Sequence, residues 1–168
     1  MAYAIYDASV PVMARALGNL IKIIDKAETQ AKEKDIPLQS LLDARLIADM
    51  NPFPFQIQSA SDAAKGAAAR LAGITPPSMP DTEKTFGELK ARLQKTIDFL
   101  NTVKPEQLAG AEDKEIVMKF PNGELKFSGR DFLAGFALPN FFFHVTTAYA
   151  LLRHKGIAIG KMDFLGGV

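Results

Sequence analysis

The chain contains no cysteine, no tryptophan and only two histidines. Without thiols there is no disulfide, no thiolate nucleophile and no cysteine-held zinc to consider. That usage fits a reducing compartment, and a cytoplasmic location is expected. An excess of one charge is also missing. Twenty basic residues against nineteen acidic ones leave a formal net charge of +1, too little to attract a nucleic-acid backbone. No basic cluster interleaved with aromatics occurs either, so no nucleic-acid partner is expected. No apolar run approaches the ~20 residues needed to span a bilayer. The opening MAYAIYDASVPVMARALG lacks the basic-then-apolar pattern of a secretory leader, so no membrane association is expected. Phosphate-binding loops, the dinucleotide glycine fingerprint, the nucleophile elbow and the EF-hand pattern are all absent.

What remains is a chain of 168 residues, 48% hydrophobic and 23% charged, with no internal repeat and no low-complexity segment. Residues 1–168 are expected to form one domain with a single core. From Ser9 to Glu33, Val10, Met13, Leu17, Leu20, Ile21, Ile24 and Ala27 recur every three or four positions, the stripe of an amphipathic helix. Asp7 or Ser9 is placed to cap it, and Pro11 is tolerated in its first turn. A short helix is expected from about Pro37. A second long helix begins at ADMNPFPFQIQ, with Asn51 as cap, Pro52 in the first helical position and Gly73 as its stop. Its centre, Ser59 to Ala69, is rich in small side chains that allow a neighbouring helix or a ligand to come close.

ITPPSMPD is a stiff connection. A third long helix follows from about Thr82 to Val103, with Thr82 and Thr85 as possible caps. The period then changes to two in EIVMKFPNGELKFSG, a β-hairpin turning at Pro121-Asn122-Gly123. The fourth long helix is expected from Ser128 or Arg130 to His154, with Gly156 past its end and a kink at Pro139. The tail IAIGKMDFLGGV reads as extended, with Phe164 and Leu165 docking on the body. The predicted fold is therefore all-α, a four-helix bundle with a small hairpin inserted before the fourth helix.

Both histidines fall in PNFFFHVTTAYALLRHKG. On one helix, ten residues separate His144 from His154 by about 15 Å of rise and roughly 80° of rotation, so they cannot share an ion. His154, beside Arg153 and Lys155, suits a helix C-terminus. His144 is either a hydrogen-bonded core residue or a functional imidazole. Asn140 lies one turn before it on the same face, and Asp49 and Gln56, near the start of the second long helix, are the oxygen-bearing candidates to join them. Phe136, Phe141, Phe142 and Phe143 span most of a helix circumference. Either some face a cavity or partner, or the helix is surrounded.

The blocks IYDASVPV, ARLIADMNPFPFQIQ, AAARLAG, SGRDFLAGFALPNFFFHVTTAYALLRHKG and KMDFLG resemble a bacterial domain-of-unknown-function branch of the DinB/YfiT-like superfamily of metalloenzymes. The resemblance covers nearly the whole chain. Its relatives include thiol-dependent transferases and isomerases, often dimeric, that hold a divalent metal through three histidines. Set against that pattern, His144 matches one histidine, Asn140 replaces a second, and Gln56, with Asp49 as rival, stands at the third. The resemblance implies a divalent metal such as Zn or Ni, a homodimer and a small-molecule ligand; two of the three positions depart from it. One expectation is a divergent small-molecule enzyme, a thiol-dependent transferase or hydrolase-like, with His144 catalytic and His144, Asn140, Gln56 and Asp49 as a degenerate metal set. The alternative is a non-catalytic ligand-binding or structural dimeric bundle that has lost the metal.

Overall fold

The computed structural model describes residues 4–167. The first three residues of the segment read above for a leader, and Val168 of the tail, lie outside that range. Four long helices carry the core: α1 (Val10–Glu33), α3 (Phe53–Ala72), α4 (Phe86–Thr102) and α6 (Leu138–His154). Around them lie α2 (Leu38–Leu42), the antiparallel hairpin of β1 (Glu115–Phe120) and β2 (Gly123–Ser128), the single turn α5 (Gly129–Asp131) and α7 (Lys161–Leu165). α3 packs on both α4 and α6, and α1 packs on α4, α6 and α7. The architecture is the expected helical bundle with a hairpin before its last long helix. Among the described residues no helix is long and apolar enough to cross a membrane.

The stripe of α1 is buried as the period requires, except that Ile23 takes the fully buried position and Ile21 lies at the edge. Ser9 occupies the N-cap without capping; its hydroxyl donates to the Ile5 carbonyl at 2.6 Å instead. In α3 the cap is Pro52, not Asn51, and Pro54 sits in the first turn, where the missing N–H costs nothing. Gly73 ends the helix in the left-handed conformation, φ 71°. α4 starts at Thr85 rather than Thr82. Thr85 Oγ1 accepts from the Glu88 N–H at 3.2 Å while Glu88 accepts from the Thr85 N–H at 3.0 Å, a reciprocal capping box.

The stiff connection before α4 is tied down by one buried side chain. The Arg92 guanidinium bonds Asp62 at 2.7 Å, Asp81 at 2.9 Å, Glu83 at 3.0 Å and the Pro80 carbonyl at 3.2 Å. One guanidinium thus joins α3, α4 and the proline-rich segment.

The hairpin turns on Pro121 and Asn122, with Phe120 paired to Gly123. Two strands alone would be marginal, and this pair rests on the bundle through Ile116 and through Phe127, whose ring meets Phe132 at 6.2 Å and Phe136 at 6.0 Å.

One expectation is corrected here and another gains detail. The fourth helix does start at Ser128, whose hydroxyl accepts from the Asp131 N–H at 3.1 Å. Pro139, however, is preceded by a π-helical segment, Phe132–Ala137, in which the Leu138 N–H reaches back to the Leu133 carbonyl. Proline cannot donate to the carbonyl four residues earlier, and a wider turn just ahead of it absorbs the interruption. The tail is not extended. Asp163 accepts from the Gly160 N–H at 2.7 Å, Gly166 stops the turn at φ 84°, and α7 forms between them. It docks on α1 through Asn19, which donates to the Phe164 carbonyl at 3.2 Å, and through the Lys26–Asp163 ion pair.

At the junction of hairpin and bundle, a Cβ on Gly129 would overlap the Ala111 carbonyl oxygen. Backbone cannot yield there as a side chain would. Gly129→Ala should lower stability by about 1–3 kcal/mol, read as a reduced urea midpoint at unchanged slope.

Candidate functional site

The second long helix and the fourth meet around one hydrogen-bonded relay. Gln56, one turn into α3 and 3% exposed, donates its amide Nε2 to the Asn51 carbonyl at 3.0 Å. That fixes which way the amide faces, so its Oε1 points at His144 Nδ1, 2.9 Å away. An oxygen that can only accept requires the proton to be on Nδ1. The Nε2 lone pair of His144 is therefore left for other work. The ring is held at its sides by Phe55 (centroids 6.0 Å apart, edge-on) and Phe143 (5.2 Å, edge-on). Burial lowers the imidazole's pKa below its usual 6.5, because desolvation penalises the charged form and no carboxylate counters it.

His144 borders a cavity of about 280 Å³ between α3 and α6. The π segment supplies Phe132, Phe136 and Ala137 to its wall, α6 supplies Asn140 and His144, and the hairpin supplies Met118. α3 contributes Ser59, Asp62, Ala63, Ala67 and Arg70. The widened turn before Pro139 thus does local work: it presents two phenylalanines to the cavity immediately ahead of the helix that carries Asn140 and His144.

Of the four residues singled out in the sequence, the structure brings Gln56 into contact with His144 and sets Asn140 on the same cavity wall. Asp49 is exposed and does not border the cavity. Asp62 and Arg70 were not singled out, although both lie in or beside the small-residue stretch, and Ser59, Asp62, Ala63, Ala67 and Arg70 share one helical face at spacings of three and four. The four aromatic positions divide by environment. Phe141 is fully buried, Phe136 faces the cavity, and Phe142 and Phe143 border a separate groove on the other side.

The donors present do not fit a three-histidine metal centre. The cavity offers one imidazole nitrogen, the neutral amide of Asn140 and the Asp62 carboxylate, which Lys65 and Arg92 already engage, and Gln56 has committed its nitrogen to Asn51 and its oxygen to His144. Neutral amides are poor partners for Zn or Ni. Among the described residues no group of three His, Cys, Asp or Glu side chains could hold an ion.

The bundle, its inserted hairpin and the cavity between the second and fourth long helices define a DinB-like helical protein. The chain belongs to the family described as a domain of unknown function, DUF1993, whose profile matches residues 5–165. It is similar to a DinB family member protein from Shewanella denitrificans, known from a crystal structure. The two are 37% identical, with 97% of this chain and 92% of that one covered and a TM-score of 0.91. Comparison with curated proteins gives no match.

The relay makes a direct prediction. Imidazole ¹⁵N spectra should show His144 as the Nδ1–H tautomer at neutral pH, and Gln56→Ala should abolish that preference. Because the folded-state pKa lies below 6.5, the stabilisation linked to the neutral ring is complete above pH 6.5 and is lost as pH falls through the folded-state value. Thermal melts should lose this acid-side component in His144→Gln.

Proposed function

We propose that this protein is a divergent small-molecule enzyme of the DinB-like type, using His144 as an acid–base group in the cavity between α3 and α6. The observation that carries the reading is the Asn51–Gln56–His144 relay. It holds the ring in one tautomer, with the basic nitrogen unengaged by any described residue. A neutral imidazole can accept a proton from a thiol or a water as that nucleophile attacks an acyl or alkyl centre. The proton rests on Nε2, with Nδ1–H still bonded to the Gln56 oxygen, until it passes to the leaving alkoxide, amine or thiolate as that group's bond to the acyl or alkyl centre breaks, which restores the neutral ring. A thiol-dependent transfer or a hydrolysis both fit this chemistry, and no step requires a metal. Such proton transfer contributes ~10²–10⁴-fold in rate.

The test is a screen of small thiols, esters and carboxylic acids at millimolar concentration, read on the His144 Nε2 resonance. Compounds that shift it, and turnover that falls by ~10²–10⁴ in His144→Gln, support the reading. A resonance that no compound perturbs ends it.

A second reading, a non-catalytic dimeric bundle, is favoured by a different surface. Leu46, Phe142, Phe143, Thr146, Thr147 and Ala150 border an apolar groove, and Phe143 is 57% and Leu46 43% exposed. In this reading a second copy covers the groove. Light scattering at micromolar concentration should then give a dimer that Phe143→Glu converts to monomer. A wild-type monomer would end that reading.

A further inference from the structure

We infer that the cavity between α3 and α6 takes a small, elongated aromatic or apolar carboxylic acid, with its carboxylate held by Arg70. The inference rests on the reading of this cavity as a ligand site and names the substrate class.

Side chains on a helix lean toward its N-terminus, so residue 70 lies over residue 66. Residue 66 is glycine. The Arg70 guanidinium folds down into the space this leaves, with Nη1 only 2.6 Å from where a Cβ on Gly66 would sit. A mid-helix glycine forgoes helix propensity; here its absent side chain is what lets the guanidinium lie against the helix beside the cavity. The guanidinium has no hydrogen bond or ion pair to any described residue.

The other charged group of the cavity is already engaged. Asp62 bonds Lys65 at 2.8 Å and Arg92 at 2.7 Å. Arg70 is exposed and is the charged residue of the cavity wall without a partner among the described residues; its guanidinium has the planar, forked form that pairs with a carboxylate in two parallel hydrogen bonds. The same wall carries Phe132, Phe136 and Met118, available to an aromatic or alkyl body. Ser59 and Asn140 add uncommitted polar groups.

Size and shape narrow the ligand. The volume, about 280 Å³, falls just below the ~300–1,000 Å³ typical of ligand pockets, which suits one ring rather than two. Gln56, which holds His144, and Gly66, which lies under Arg70, are about 15 Å apart in helix rise. The carboxylate and the group that meets His144 Nε2 therefore belong at opposite ends of the molecule.

The experiment uses the intact protein and matched pairs: benzoate, phenylacetate and 3-(4-hydroxyphenyl)propionate, each against its neutral amide. Binding is followed by ¹H–¹⁵N NMR titration, including the His144 imidazole. At least one acid, with the hydroxyphenylpropionate tightest, should bind ten-fold or more tighter than its amide. Arg70→Gln should bring that acid to the level of the amide, and Arg70→Lys should recover part of the difference. Gly66→Ala should weaken the acid but not the amide, because a methyl there displaces the guanidinium. That variant should melt no lower than wild type, which separates the effect from misfolding. Acids that bind no better than their amides overturn the inference. In that case, amides that still shift His144 leave the cavity reading standing, whereas no binding by either class, with none in the wider screen, removes both.

Discussion

The structure depends on how slim α3 is. This helix is touched by α1, α2, α4, α6 and the π segment, and a helix so surrounded can be approached closely only if much of its surface is small. Ala60, Ser61, Ala64, Gly66, Ala67, Ala68 and Ala69 are all buried, and its large buried apolar side chains, Phe53, Ile57 and Leu71, lie toward its two ends. Interhelical distance is set by the side chains at the contact. Close approach to α4 puts the Ser61 hydroxyl 2.7 Å from that of Thr96. Close approach to α6 lets Gln56 reach His144 across 88 residues of sequence. Where α3 turns small residues toward the hairpin and the π segment, the space is not filled by a neighbour, and the cavity results.

Polar groups in such a tight seam must be paired, since an unpaired buried donor costs about 1–3 kcal/mol. Gln56 is satisfied at both ends of its amide, and Gln58 donates to Glu83 at 3.0 Å. Thr96 bonds Ser61 and donates to the Arg92 carbonyl at 2.9 Å. Arg92 is held by three carboxylates and a carbonyl; its Nε is the one buried side-chain polar atom without a partner among the described residues. The two seams differ in kind. The one toward α4 is ionic and anchors the proline-rich connection, whereas the one toward α6 is neutral and orients an imidazole. Cutting the first would release a segment; cutting the second would free a ring.

Sequence periodicity carries the fold well where one face of an element meets the core. The stripe of α1, the alternation of the hairpin and the stops at Gly73 and Gly156 all follow from local rules, and the resemblance in the fourth helix agrees with the bundle. Periodicity is weaker where an element is surrounded, as α3 is, because small residues on every side leave little contrast between faces. The π segment escapes reading because proline signals an interruption without specifying whether the helix kinks or widens. α7 escapes because a five-residue helix is held by tertiary bonds to α1 rather than by its own pattern. In the site, the pairing of Asn140 with His144 on one face is local and was legible. The Gln56–His144 contact could be anticipated only as a meeting of two helix ends, and the position of the Arg70 guanidinium depends on a side chain one turn earlier being absent.

That last feature changes what chemistry the site favours. A transition-metal centre needs converging lone pairs and, usually, a negative or soft donor. Here the convergent lone pair is a single imidazole nitrogen, the carboxylate that lines the cavity, Asp62, is engaged by Lys65 and Arg92, and a guanidinium unpaired among the described residues stands at the same cavity. A cation placed between them would meet one good ligand and one like charge. The imidazole, meanwhile, leans on a neutral amide rather than a carboxylate, which leaves burial to depress its pKa and keeps the ring uncharged near neutral pH. An uncharged imidazole and a guanidinium unpaired among the described residues thus lie at one cavity, and the neutral amides of Asn140 and Gln56 beside the imidazole offer a transition metal little.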